Sequence, residues 1–139
     1  MRAFYATFNN QLKPLPMTKQ DFNKKTAQVK KQLKDIRKLA NLRIYQGSKI
    51  HILDQCNIIN SCLKKINEGF CDLAISALEF ALKVCKSTID LLLKIRGKVK
   101  IKFKELVKAR DNSEGFDRCQ LNVRVEEVYN LLRPFIKNR

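Results

Sequence analysis

Residue types on which catalytic sites usually depend are scarce in this 139-residue sequence. It has one histidine, His51, no tryptophan, and 13 acidic residues against 29 basic ones. A nucleophile such as Cys56 or Ser48 beside His51 would need a third group that orients the histidine, and no pattern in the sequence indicates one. The patterns that cradle nucleotide phosphates, GxxxxGK[ST] and GxGxxG, are also missing. We therefore predict a protein that is not an enzyme and that binds no cofactor.

Close cysteine pairs are missing as well. The five cysteines are odd in number, and none forms a CxxC pair. Zinc sites need close Cys or His pairs around a turn, so the spacing of His51, Cys56, Cys62 and Cys71 predicts no metal site. Most of the cysteines fall where apolar residues would be expected. We predict buried free thiols, which is typical of an intracellular reducing compartment.

The sequence has no long apolar run. The longest candidate, residues 73–82, is interrupted by Glu79, so we predict no transmembrane span. Residues 1–17 contain Arg2 and Lys13 but no acidic residue, as mitochondrial presequences do, although serine is scarce. We predict a basic N-terminal extension over 1–17 and a single helical domain over 18–139. The mitochondrial matrix is one compartment that this composition suits.

Positive charge is abundant and unevenly placed. The net charge is +16, with a pI near 9.9. Residues 21–49 hold nine basic and two acidic residues, and residues 94–111 hold eight and two. The region between them, 50–93, is nearly neutral, with four basic and five acidic residues. Two basic regions on a chain of this net charge indicate an anionic partner.

Apolar residues recur at intervals of three and four in most of the chain, which predicts helices. The first predicted helix runs from Thr18 to about Gln46, with Thr18 as its N-cap, and the second from about Lys49 to Glu68. A closing helix is predicted over about 121–137. The third, 70–96, is apolar nearly all round, which is typical of a buried helix. The sequence thus predicts an all-α, four- to five-helix bundle with a buried central helix over 70–96.

The segment KIRGKVKIKFK, residues 94–104, is ambiguous. Lysine or arginine alternates with apolar residues, and 121–126 also alternates, so a β-hairpin over 98–126 is one alternative, with Gly97 ending the third helix. A helix is the other, because Val99, Phe103 and Leu106 would share one face. We favour the helix. Both alternatives leave the lysines exposed.

The candidate binding residues are lysines of the two basic regions, predicted to contact an anionic surface. They are Lys24, Lys31, Lys34, Lys38, Lys98, Lys100, Lys102 and Lys104. RNA is the favoured partner, with other protein subunits beside it; an acidic protein or peripheral contact with anionic lipid is also consistent with a basic surface. The leading prediction is a non-enzymatic structural subunit of a ribonucleoprotein, for example an organellar ribosome. The alternatives are a protein–protein scaffold, an accessory subunit of a mitochondrial membrane complex, and a viral or effector adaptor.

Overall fold

The computed structural model describes residues 17–136, which form four α-helices and two short 3-10 turns. The helices are α1 (Lys19–Ala40), α2 (Lys49–Ile66), α3 (Asp72–Asp111) and α4 (Gly115–Leu132). The 3-10 turns are Arg43–Ser48 and Arg133–Phe135. No β-strand occurs within this range, so the prediction of an all-α bundle is confirmed. The predicted extension over 1–17 lies outside the described residues except for Met17.

The first helix begins as predicted but ends earlier. The side-chain oxygen of Thr18 accepts a hydrogen bond from the backbone N–H of Asp21 at 3.0 Å, which caps α1. The helix ends at Ala40, not near Gln46, and the chain then turns through the 3-10 segment Arg43–Ser48. This segment buries Ile44 and Tyr45 against the core, so the chain reverses into α2 without exposing its apolar residues.

The third helix is longer than predicted because it continues through Gly97 to Asp111. The prediction that Gly97 ends this helix is wrong, and so is the β-hairpin alternative over 98–126. Val99, Phe103 and Leu106 continue the helical spacing and are buried or partly buried in the core. An interior glycine costs a helix about 1 kcal/mol, less than the ~1.5–3 kcal/mol that fully burying one large apolar side chain contributes. At 1.5 Å per residue, α3 is ~60 Å long.

The closing helix is confirmed, although it begins before the predicted position near 121. Gly115 has a φ of +62°, a left-handed conformation that glycine adopts easily, and it begins α4 after the turn that follows α3. Val125, Val128 and Leu132 are buried at helical spacing. The alternating residues 121–126 are therefore part of a helix whose buried side faces α3.

α3 connects two parts of the molecule, since it contacts α1, α2, α4 and the first 3-10 turn. Its first half forms a three-helix unit with α1 and α2, in which the rings of Phe22 and Phe70 meet at 5.1 Å near one end. Its second half forms a helical hairpin with α4, and Arg110 donates to the side-chain oxygen of Asn122 at 3.1 Å. The predicted central position of this helix is confirmed. It is buried along one side only.

Tyr45 joins these two parts. Its side chain is 2% exposed, its hydroxyl donates to the backbone carbonyl of Leu92 at 3.2 Å, and its ring meets that of Phe135 at 6.1 Å. The guanidinium of Arg96 lies 5.0 Å from the centre of the same Phe135 ring. Burial raises the pKa of Tyr45, although nearby Arg96 opposes the shift, so the hydroxyl remains a hydrogen-bond donor. These contacts hold the end of α4 against the three-helix unit.

Candidate anion-binding surfaces

The first predicted set of lysines lies on the outer side of α1, and we call it the α1 lysine surface. Its members are Lys24, Lys31, Lys34 and Lys38, and all four are exposed. At about 100° per residue, the four side chains fall within an ~80° sector around the helix axis. The buried residues of α1 occupy the opposite side. The structure therefore brings this predicted set together on one outward surface.

The second set, Lys98, Lys100, Lys102 and Lys104, lies on the second half of α3, and we call it the α3 lysine surface. All four are exposed, as both alternatives predicted. In a helix they form two rows, because residues four apart lie nearly in line. Lys98 and Lys102 make one row and Lys100 and Lys104 the other, with Ile101, 59% exposed, between them. An approaching anion would thus meet one row or the other first.

The two lysine surfaces lie at different levels of the molecule. Gln28 and Gln32 of α1 line a shallow cavity with Leu82 and Ile89 of α3. The last turns of α1 line a second cavity that reaches Arg96, so α1 lies beside α3 up to about residue 96. The α3 lysine surface lies beyond this level, on the half of α3 that packs against α4. The structure does not join the two sets into one cleft. They are separate surfaces, one on α1 and the other on the second half of α3.

The lysines of both surfaces have no carboxylate partner within ion-pair distance among residues 17–136. The ion pair found in this range is Arg110–Asp111, with the guanidinium Nε 3.3 Å from the carboxylate oxygen. The chain as a whole has few carboxylates to neutralise its 29 basic residues. The charge of both surfaces is therefore available to an external anion.

The residues considered for catalysis or metal binding are dispersed. His51 is exposed on α2, whereas Cys56 and Cys62 are buried within it, and Cys71 is exposed before α3. Among the described residues, no group of three or more His, Cys, Asp or Glu side chains is placed to hold a metal ion.

Three of the five cysteines form a buried group in the core, and the prediction of buried thiols is correct for these three. They are Cys56, Cys62 and Cys85. Burial raises the pKa of each thiol, and that of Cys85 rises to about 11, since burial adds to the effect of the two neighbouring thiols. Cys71 and Cys119 are exposed, so the prediction, which concerned most of the cysteines, holds for three of the five.

This difference predicts two classes of thiol reactivity. Because the thiolate is the nucleophile, we expect Ellman's reagent at about pH 8 to modify Cys71 and Cys119 quickly and the three buried thiols only after unfolding. The measurement is thiol release over time with and without denaturant. A Cys71→Ser/Cys119→Ser variant is the control and should lack the fast phase. Fast modification of that variant in its folded state would contradict the buried assignment.

An apolar groove between α2 and α3 was not predicted from the sequence. It has a volume of about 390 Å³. The residues that line it are Ile58, Ser61, Cys62, Lys65, Leu73, Ser76, Ala77 and Phe80. The one available signal was the apolar character of 70–96 on nearly every side, which exceeds what one buried face requires. Apolar residues on nearly every side of this helix predicted complete burial, whereas some of these residues are exposed in the groove.

Comparison with known proteins gives no relative from which a function could be transferred: no family model, curated protein or solved structure matches this chain. Within residues 17–136, none of the helices combines the length and hydropathy needed to cross a lipid bilayer.

Proposed function

We propose that this chain is a non-enzymatic subunit of a ribonucleoprotein assembly and that its two lysine surfaces bind RNA phosphates. The observation that carries the proposal is the set of eight exposed lysines on α1 and α3, without carboxylate partners in the described range. Phosphate contacts of this kind provide sequence-independent affinity for RNA. An organellar ribosome is the simplest assembly of this type, since it combines RNA with many small basic proteins.

The side chains present favour contact with the phosphate backbone over reading of bases. Lysine provides a flexible point charge, whereas bidentate recognition of bases relies mainly on arginine. Recognition of unpaired bases usually depends on exposed aromatic side chains for stacking. Phe22 and Phe103, on the same helices as the lysines, are buried and partly buried, respectively. The rings beside them, Phe70 and Tyr129, are 43% and 40% exposed, so within residues 17–136 each surface has one isolated ring nearby and no row of rings on which successive bases could stack. We therefore propose structured, double-stranded RNA as the preferred form.

A salt titration of RNA binding tests this proposal. The full chain is titrated into a fluorescent RNA duplex, a single-stranded RNA and phosphatidylserine vesicles, at salt concentrations from about 50 mM to about 200 mM. We expect duplex binding whose logarithm falls linearly with the logarithm of salt concentration, and weaker binding to the single strand. Absence of RNA binding at the lowest salt, or stronger binding to the vesicles, would contradict the proposal.

A further inference from the structure

The α2–α3 groove has the form of a docking site for a helix. Leu73, Ala77 and Phe80 lie at intervals of four and three on α3, so they form one continuous wall. Leu73 is 60% exposed and Phe80 is 52% exposed, while Ile58 of α2, 38% exposed, stands on the opposite wall. Small side chains between these three leave room for an inserted side chain. An amphipathic helix uses apolar anchors at the same spacing to enter such a groove.

None of the chain's other described helices covers this groove. α1 packs on α3 through a region that includes Leu82 and Ile89. At about 100° per residue, these two residues point nearly opposite to Leu73 and Phe80. The groove is therefore on the side of the three-helix unit away from α1, and it is also separate from both lysine surfaces.

The charge around the groove selects the kind of partner. Among residues 17–136, Lys65 is the one charged side chain that lines the groove, and no carboxylate of this range lines it. A second copy of this chain would bring another Lys65 and a net charge of +16 against the same surface. Three exposed large apolar side chains per copy are also few for a stable dimer, which buries about 1,200 Å² or more in total. A helix of an acidic partner protein could place apolar side chains in the groove and a carboxylate beside Lys65.

We propose that the α2–α3 groove binds an amphipathic helix of an acidic partner protein. Apolar side chains of that helix contact Ile58, Leu73 and Phe80, and a carboxylate on its edge pairs with Lys65. The interaction is independent of the lysine surfaces, so RNA and the partner protein can be bound at the same time. The chain would then connect an RNA surface to a protein subunit.

Selection from a randomised helical-peptide library displayed on yeast tests the inference. The full chain is the bait, and a Leu73→Ala/Phe80→Ala variant is the counter-bait; both side chains are at least half exposed, so the fold is retained. We expect peptides that bind the wild type at least about tenfold more tightly than the variant, since two apolar contacts are lost. Their common pattern should be two apolar residues three, four or seven positions apart with an acidic residue nearby.

A charge reversal then tests the role of Lys65 on the selected peptides. Lys65→Glu should weaken binding by about threefold to tenfold, while Lys64→Glu, the neighbouring residue outside the groove, should have little effect. Replacing the acidic residue of the peptide with lysine should restore binding to Lys65→Glu.

The inference is overturned if no peptide depends on Leu73 and Phe80, if the selected peptides lack acidic residues, or if the chain forms a dimer that these substitutions abolish. RNA binding by the Leu73→Ala/Phe80→Ala variant should be unchanged, which separates this inference from the proposed function.

Discussion

Replacing Lys98, Lys100, Lys102 and Lys104 with glutamine should weaken binding to duplex RNA by about 100-fold at about 50 mM salt. These lysines form two rows on α3, so we expect about two of the four to reach phosphates on one duplex. Each phosphate contact contributes about 0.9 to the slope of log affinity against log salt, so the slope should fall by about 2. The same exchange at Lys24, Lys31, Lys34 and Lys38 should have a comparable effect. Glutamine has nearly the helix propensity of lysine, so both helices should persist.

A matched control variant distinguishes the contribution of the two lysine surfaces to RNA binding from the effect of the total charge of the protein. Residues 50–93 contain four basic residues, Lys64, Lys65, Lys83 and Lys86, all exposed and outside both lysine surfaces. Their exchange to glutamine removes the same charge and should weaken RNA binding only a few-fold. Fluorescence anisotropy of all three variants over a salt series gives the comparison. Equal losses in the three variants would contradict the assignment of binding to the α1 and α3 lysine surfaces.

Leu78→Ala should lower the free energy of unfolding by about 2 to 5 kcal/mol, because it leaves a cavity in a packed core. Leu78 is a fully buried side chain on α3, with 0% exposure. Small domains have a total stability of about 5–15 kcal/mol, so this loss would be a large fraction of it. The measurement is urea denaturation followed by circular dichroism.

Leu73→Ala is the control for this prediction, since Leu73 lies on the same helix but is 60% exposed. The same chemical change there should alter the free energy of unfolding by about 0.5 kcal/mol or less. If the two variants were equally stable, the position of α3 relative to α1 and α2 would be wrong.

Much of the helical fold could be predicted because its signals are local. The apolar spacing of the first two segments, together with Thr18 as N-cap, predicted where α1 begins and nearly all of α2. The end of α1 depends instead on how Ile44 and Tyr45 pack into the core, and a 3-10 turn meets that requirement better than a longer helix. No local pattern in the sequence reports this packing.

The segment around Gly97 shows why periodicity alone can mislead. Alternating lysine and apolar residues satisfy a strand pattern, but they also produce two lysine rows beside an apolar face in a helix. The choice depends on α4, which comes later in the chain and buries the side of α3 that carries Phe103 and Leu106. A contact between distant segments therefore decided between two patterns that are locally acceptable.

The lysine surfaces were easier to predict than the groove. A lysine opposite an apolar face is exposed in almost any packing, and all eight candidate lysines are exposed. The groove depends on which side of α3 is covered by α1, and periodicity cannot report this for a helix that is apolar on several sides. The helix over 70–96 was therefore expected in the interior, although Leu73 and Phe80 within it are each at least half exposed.

Lysine acetylation footprinting of the full chain, with and without a saturating RNA duplex, is the most direct test of the two lysine surfaces. Acetic anhydride labels exposed amines, and mass spectrometry reports the extent of labelling at each lysine. We predict that RNA reduces labelling at the eight lysines of the α1 and α3 surfaces and leaves Lys64, Lys65, Lys83 and Lys86 unchanged. Equal protection of all lysines, or protection confined to those four, would contradict the assignment of RNA binding to the α1 and α3 lysine surfaces.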